Sequence, residues 1–129
     1  MSGAIELAGL DISCAAAADL SDYQYHFVYL TDDLTVNVAG ALARVCGILQ
    51  NKPSAAGAAA RVRISGLSKL VAGEAAAVGK MITCKSDGHG EVADAADEFV
   101  GGIAYTAAAA ANDEFVVKIV DFDAVSSDA

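Results

Sequence analysis

Tryptophan is absent, proline occurs once, at Pro53, and the only aromatic side chains are four Phe and four Tyr. Large rings therefore cannot dominate a core, and much of the 55% hydrophobic content is alanine. Apolar burial is worth about 25 cal/mol per Å², and small side chains limit it, so self-association is an expected source of further buried surface. The length of 129 residues suits one domain, or two small lobes sharing a core.

Basic residues are scarce. Eight Lys and Arg face 17 Asp and Glu, a formal net charge of −9. A phosphate backbone or an anionic membrane would be repelled, because binding either one draws on Lys and Arg. Nucleic acid and membrane are thus excluded as expected partners, whereas a basic or mixed protein surface is not. The sequence has no apolar run of about 20 residues, and no basic stretch precedes an apolar one, so a chain made and kept in water is expected. Cys14, Cys46 and Cys84 are odd in number and form no Cys-x-x-Cys pair. They read as reduced, buried thiols rather than a disulfide framework.

The signatures of chemistry are missing too. His26 and His89 are the only histidines, and a zinc site needs three or four ligands at workable spacing. Gly73 to Lys80 resembles a phosphate-binding loop, but Val78 stands where the Gly-x-x-x-x-Gly-Lys-Ser/Thr pattern requires its second glycine, and Met81 stands where a magnesium-binding hydroxyl belongs. Gly88 to Ala93 fits a dinucleotide fingerprint in letters only, since its alternation calls for a hairpin rather than a following helix. The carboxylates Asp94, Asp97, Glu98, Asp113, Glu114, Asp121 and Asp123 gather in turns and at strand ends, where solvated acids are ordinary. No Gly-x-Ser-x-Gly elbow occurs. No catalytic, cofactor-binding or metal-binding residue is assigned, and no enzyme is expected.

What is present is strand after strand. Tyr23 to Leu30 alternates aromatic and other residues with period two, and Thr31-Asp32-Asp33 separates it from a short strand over Leu34 to Val38. Val45 to Ile64 reads as strand, turn and strand around Gln50-Asn51-Lys52-Pro53, and Ser65 to Val71 continues past a glycine that marks a bulge or a close approach. Lys80 to Lys85, a loop at Ser86 to Gly90, Glu91 to Ala93, Phe99 to Tyr105 and Glu114 to Phe122 follow. The alanine runs are shorter than the ~12 to 15 residues of an isolated helix and read as connectors.

Shifted by about 55 residues, the chain meets itself: Val45, Gly47 and Ile48 fall on Val100, Gly102 and Ile103, and Val62-Arg63-Ile64 on Val117-Lys118-Ile119. The fold expected is mainly β, a small barrel or sandwich built from a duplicated strand-turn-strand unit, with an N-terminal arm and at most short helical turns. The organisation expected is an arm over 1–22, one β domain over 23–123 with pseudo-repeats at 23–70 and 78–123, and an acidic tail over 124–129. Residues 1–22 also admit a second reading, an edge strand of the domain itself.

Leu20 to Val28, Cys46-Gly47-Ile48-Leu49-Gln50-Asn51-Lys52-Pro53, the connector Ala55 to Ala60, and Val62 to Lys69 resemble a family of tailed-phage head proteins, the small capsid decoration or cement proteins. The likeness continues through Ala77-Val78-Gly79, Ser86-Asp87-Gly88 and Gly101 to Ala104 toward Val120. It implies a compact β-barrel-like fold and assembly as homotrimers or other rings on the outer capsid. It also implies the major capsid protein as partner, residence on the virion after assembly in the host cytoplasm, and no catalysis. The contacts expected are the arm through Ile5, Leu7 and Leu10, by strand addition to a capsid edge, and the turn Gln50, Asn51, Lys52 and Pro53 at a seam between copies. The competing class is a virion-surface or secreted module that binds a host glycan or receptor, for which exposed aromatics such as Tyr105 would be wanted.

Overall fold

The computed structural model describes residues 7–41, 43–94 and 98–123. Among them there is no helix, and nine strands carry the fold: β1 (Gly9–Ala16), β2 (Phe27–Asp32), β3 (Thr35–Val38), β4 (Gly47–Leu49), β5 (Ala59–Val71), β6 (Met81–Cys84), β7 (Gly90–Val92), β8 (Phe99–Ala104) and β9 (Glu114–Asp123). The aromatic strand begins at Phe27 instead of Tyr23. Tyr25 adopts a left-handed φ of 64°, and turn bonds from His26 N to Tyr23 O and from Tyr23 N to Leu20 O fold residues 20–26 on themselves. Period-two alternation does not report such a backbone reversal.

The sheet order is β1-β3-β2-β4-β5-β9-β8-β6-β7. Part of the segment read as an arm is therefore a strand of the domain. β1 pairs antiparallel with the first half of β5, from Ala15 opposite Ala59 to Gly9 opposite Gly66, and parallel with β3 at Ala15 and Ala16. These two pairings close β1 to β5 into a five-stranded ring. Cys14, Leu20, Val28, Val36, Leu49 and Val62 fill it. β9, β8, β6 and β7 continue from the second half of β5, and a parallel bridge between Ala72 and Gly90 brings β7 back to the end of β5.

The duplicated unit is present bond for bond. Gln50 N donates to Arg61 O at 2.7 Å, and Tyr105 N, 55 residues on, donates to Val116 O at 2.8 Å. Tyr25 N to Leu49 O is answered by Gly79 N to Ala104 O, both 2.7 Å, and Leu20 N to Pro53 O by Ala76 N to Ala108 O. Strand registers correspond in the same way: Val28 opposite Val38 becomes Ile82 opposite Val92, and Ile48 opposite Arg63 becomes Ile103 opposite Lys118. Left-handed residues also recur, Tyr25 as Gly79, Leu34 as Gly88 and Gly57 as Asn112.

The repeat carried by the backbone starts before the Tyr23 read from the sequence. Asp11 opposite Arg63 is answered by Leu67 opposite Lys118, so β1 corresponds to the second half of β5. The 13 residues of β5 thus serve twice, as the last strand of the first repeat and the first strand of the second. The change-over falls at Gly66, whose φ is +92° and whose missing Cβ makes room for the backbone of Ala8 and Gly9. Core volumes are exchanged rather than conserved. Leu20 and Ala60 in the first ring correspond to Ala76 and Phe115 in the second, and each pair combines one large and one small side chain to reach close packing.

Candidate functional site: the seam between the repeats and the placement of the predicted residues

The repeats join along a seam that belongs to one hydrophobic cluster with the second ring. Phe27, Ala39, Val45 and Ile48 cross from the first repeat and pack with Cys84 and Phe99 of the second. Two glycines admit the Phe27 ring and its backbone. A Cβ on Gly101 would lie 3.0 Å from the ring and 2.7 Å from Val45, and one on Gly88 would lie 2.8 Å from the Phe27 carbonyl. Phe27 N donates to Gly88 O at 2.7 Å and Gly88 N to Ala39 O at 2.8 Å, so the seam is laced through backbone as well as packed. Val71 N donates to Tyr25 O at 2.8 Å at the far end.

Polar groups at the seam are paired. Gln50 is buried, and its Nε2 donates to Ser68 Oγ at 2.8 Å and to Ile48 O at 3.1 Å, while Gln24 Nε2 donates to Gln50 O. His26 and His89 stack edge to face with centroids 4.9 Å apart, and Tyr23 flanks His26 at 5.3 Å. Burial, assisted by the facing His89, pushes the His26 pKa below its ordinary value. Nδ1 of His26 donates to Gln24 O at 3.0 Å.

The residues expected to touch partners divide by place. Ile5 lies outside the described residues. Leu7 is half-buried and Leu10, on β1, is exposed. What pins this end of the chain is an ion pair that sequence reading did not single out. Arg63 Nε meets Asp11 Oδ1 at 2.7 Å, Nη2 meets Oδ2 at 3.2 Å, and Nη1 donates to Leu7 O and Leu67 O. The Arg63 guanidinium holds the Asp11 carboxyl below the usual carboxylate range. Asn51 braces the base of its own turn, accepting from Arg61 N and donating to Ala59 O. With Gln50 and Pro53 buried, the turn reaches outward through Lys52.

The chemistry-bearing groups stay apart. Asp94 pairs with Lys85 at 2.9 Å, Glu98 accepts from Asp94 N, and Asp113 accepts from Ala109 N and Ala110 N. Asp97 lies outside the described residues. No group of three or more His, Cys, Asp or Glu among the described residues is placed to hold a metal. Cys46 and Cys84 are thiols that burial pushes up to about 11. At that value they are poor nucleophiles at neutral pH.

The fold is similar to that of the head fiber gp8.5 N base of bacteriophage phi29, at 18% sequence identity with a TM-score of 0.67, covering 86% of this chain and 93% of that one. No curated protein sequence matches the chain significantly. The profile of the phage cement proteins matches residues 7–119. A match over that much of the chain places this protein in the phage cement protein family, as a structural protein of the phage head.

Proposed function

We propose that the protein decorates the outer surface of a tailed-phage capsid and stabilises it by bridging neighbouring subunits of the major capsid protein. The observation that carries this reading is the family match over residues 7–119. The physical mechanism is added buried area at the seams of the shell. Each contact is modest, and many symmetric copies together hold the lattice by avidity. The chain acts as a homo-oligomer, a trimer or other ring, and performs no catalysis. The N-terminal end of β1, with Leu7 and exposed Leu10, docks on a capsid edge, and the Lys52 turn faces a neighbouring copy. The acidic surface, at a net charge of −9, favours a basic or mixed capsid face over nucleic acid.

The test is a binding assay on purified heads that lack the protein. Saturation at a fixed ratio to the major capsid protein, with a higher temperature of genome release, is expected. Leu10→Asp lowers occupancy if the β1 end docks, and unchanged occupancy removes that contact from the account. Absence of binding to heads, with binding to host cells or glycans instead, would replace the reading with the receptor module.

A further inference from the structure

Each surface that forms the seam has an equivalent on the other repeat that the chain leaves open. The repeat offset carries Phe27, Ile48 and Gln50, which cover the second repeat, onto Met81, Ile103 and Tyr105. Phe27 is 0% exposed, whereas Met81 is 37% and Tyr105 52% exposed. Met81 and Ile103 are cross-strand partners, as Phe27 and Ile48 are, and so share one face, and exposed Tyr105 follows directly after β8. On the receiving side, Cys84, Phe99, Gly101 and Ile119 correspond to Leu30, Arg44, Cys46 and Ile64. Those four, with Val45 and Asp121, line an open cleft of about 470 Å³. The first repeat therefore carries a second socket, and the second repeat a second plug.

We propose that a second copy of this chain seats its Met81 face in this cleft, so that copies join head to tail and extend the internal seam. The occupant is another copy because what the chain itself sets on such a socket is a repeat of this fold. Charge supports the pairing. Inside the chain, His26 sits against the turn that carries Asp87, its ring 4.9 Å from His89 and its Cβ 2.8 Å from where a Cβ on Gly88 would lie. The offset puts Lys80 at the position of His26 and Asp33 at that of Asp87, so a cation on the plug meets a carboxylate beside the socket.

Leu34 supports it separately. It occupies the position of Gly88 with a φ of 42° and is 64% exposed. Glycine takes that backbone freely and leucine does not, so this exposed apolar side chain is held at a backbone cost at the first repeat's equivalent of Gly88, the residue that meets Phe27 in the seam. The junction is wider than the seam, because Leu34 and Cys46 carry side chains where Gly88 and Gly101 do not. Met81, unbranched and adaptable, replaces the rigid ring. Such a contact is heterologous, and it yields a closed ring when its rotation divides a full turn.

This inference rests on the self-association in the proposed function, and it is measured on the isolated chain, apart from head binding. Sedimentation velocity of the full chain is expected to show an oligomer. Met81→Asp and Leu30→Asp each give monomers, and below the concentration of association their melting temperatures match that of the unaltered chain. Mixed together, these two variants form one-to-one dimers and nothing larger, because one intact plug and one intact socket remain. Lys80→Glu weakens association, and adding Asp33→Lys to the same chain restores it. A wild-type chain that stays monomeric, variants that associate like wild type, or a mixture that gives no dimer overturns the proposal. Head binding by a chain that never self-associates would overturn it while leaving the capsid reading standing.

Discussion

Phe27→Ala removes the ring that fastens the two repeats together. The side chain is fully buried against Val45 and the backbone of Gly101. Truncating a core phenylalanine costs about 3–5 kcal/mol, set by lost transfer energy and by how far the site collapses. Collapse is poor here, because Gly101 and Gly88 have no side chains to swing into the void and Gly88 is held by its backbone bonds to Phe27 and Ala39. The expected loss is therefore in the upper part of that range, about 4 kcal/mol. That is a large fraction of a domain's total stability of roughly 5–15 kcal/mol. The internal control is Met81→Ala, the same position one repeat later. Met81 is partly exposed in the isolated chain, so its loss below the concentration of association should be about 1 kcal/mol or less. Urea titration followed by far-ultraviolet circular dichroism reads both, with the midpoint moving and the slope unchanged. Equal losses for the two substitutions, or a Phe27→Ala loss under about 1 kcal/mol, would refute the seam as the fastening of the fold.

Three further outcomes follow from the same contacts. The depressed His26 pKa means that the unfolded chain binds the extra proton more readily, so stability is fully present above about pH 6.5 and falls as pH drops below it. His26→Gln flattens that limb in thermal melts across pH, with His89, Asp87 and Tyr23 left facing the site. Asp11→Ala strips Arg63 of both carboxylate contacts and lowers stability by about 2 kcal/mol in urea titration. In the unaltered chain the Asp11 contribution is present above about pH 4 and lost on further acidification, because its folded pKa lies below the unfolded one. Thr83→Val leaves the fold intact and raises the melting temperature slightly. The buried Thr83 hydroxyl has no hydrogen-bond partner among the described residues, and removing it saves about 1 kcal/mol of desolvation.

The β class and the duplication were legible because Val-x-Gly-Ile and Val-basic-Ile fall in one register, and the structure places both on equivalent strand pairs, β4–β5 and β8–β9. The share of β1 in the repeat was not legible. Gly9 to Ala16 and Ser65 to Ala72 correspond through hydrogen bonds such as Ala16 N to Ala58 O and Ala72 N to Asp113 O, which constrain backbone and leave side chains free. The double service of β5 was hidden as well, since the strand runs on through Gly66 and its pairings with β1 and with β9 are both long-range. Gln50 stood out as part of the distinctive turn, but its partner Ser68 is a strand residue whose burial no local pattern reports. Phe27 was one of four aromatics on an alternating face. The turn over residues 20–26 takes Tyr23 and Tyr25 off that face, and Phe27 alone of the four is fully buried at the seam.

The role proposed for this two-repeat chain is to hold the outside of a phage shell together. A cryo-electron microscopy map of mature heads tests it most directly. Two-lobed density is expected on the outer surface, spanning the boundaries between major capsid protein subunits at a fixed ratio. Density confined to the interior or the tail, or a lobe resting on a single capsid subunit with no neighbour in contact, would contradict it.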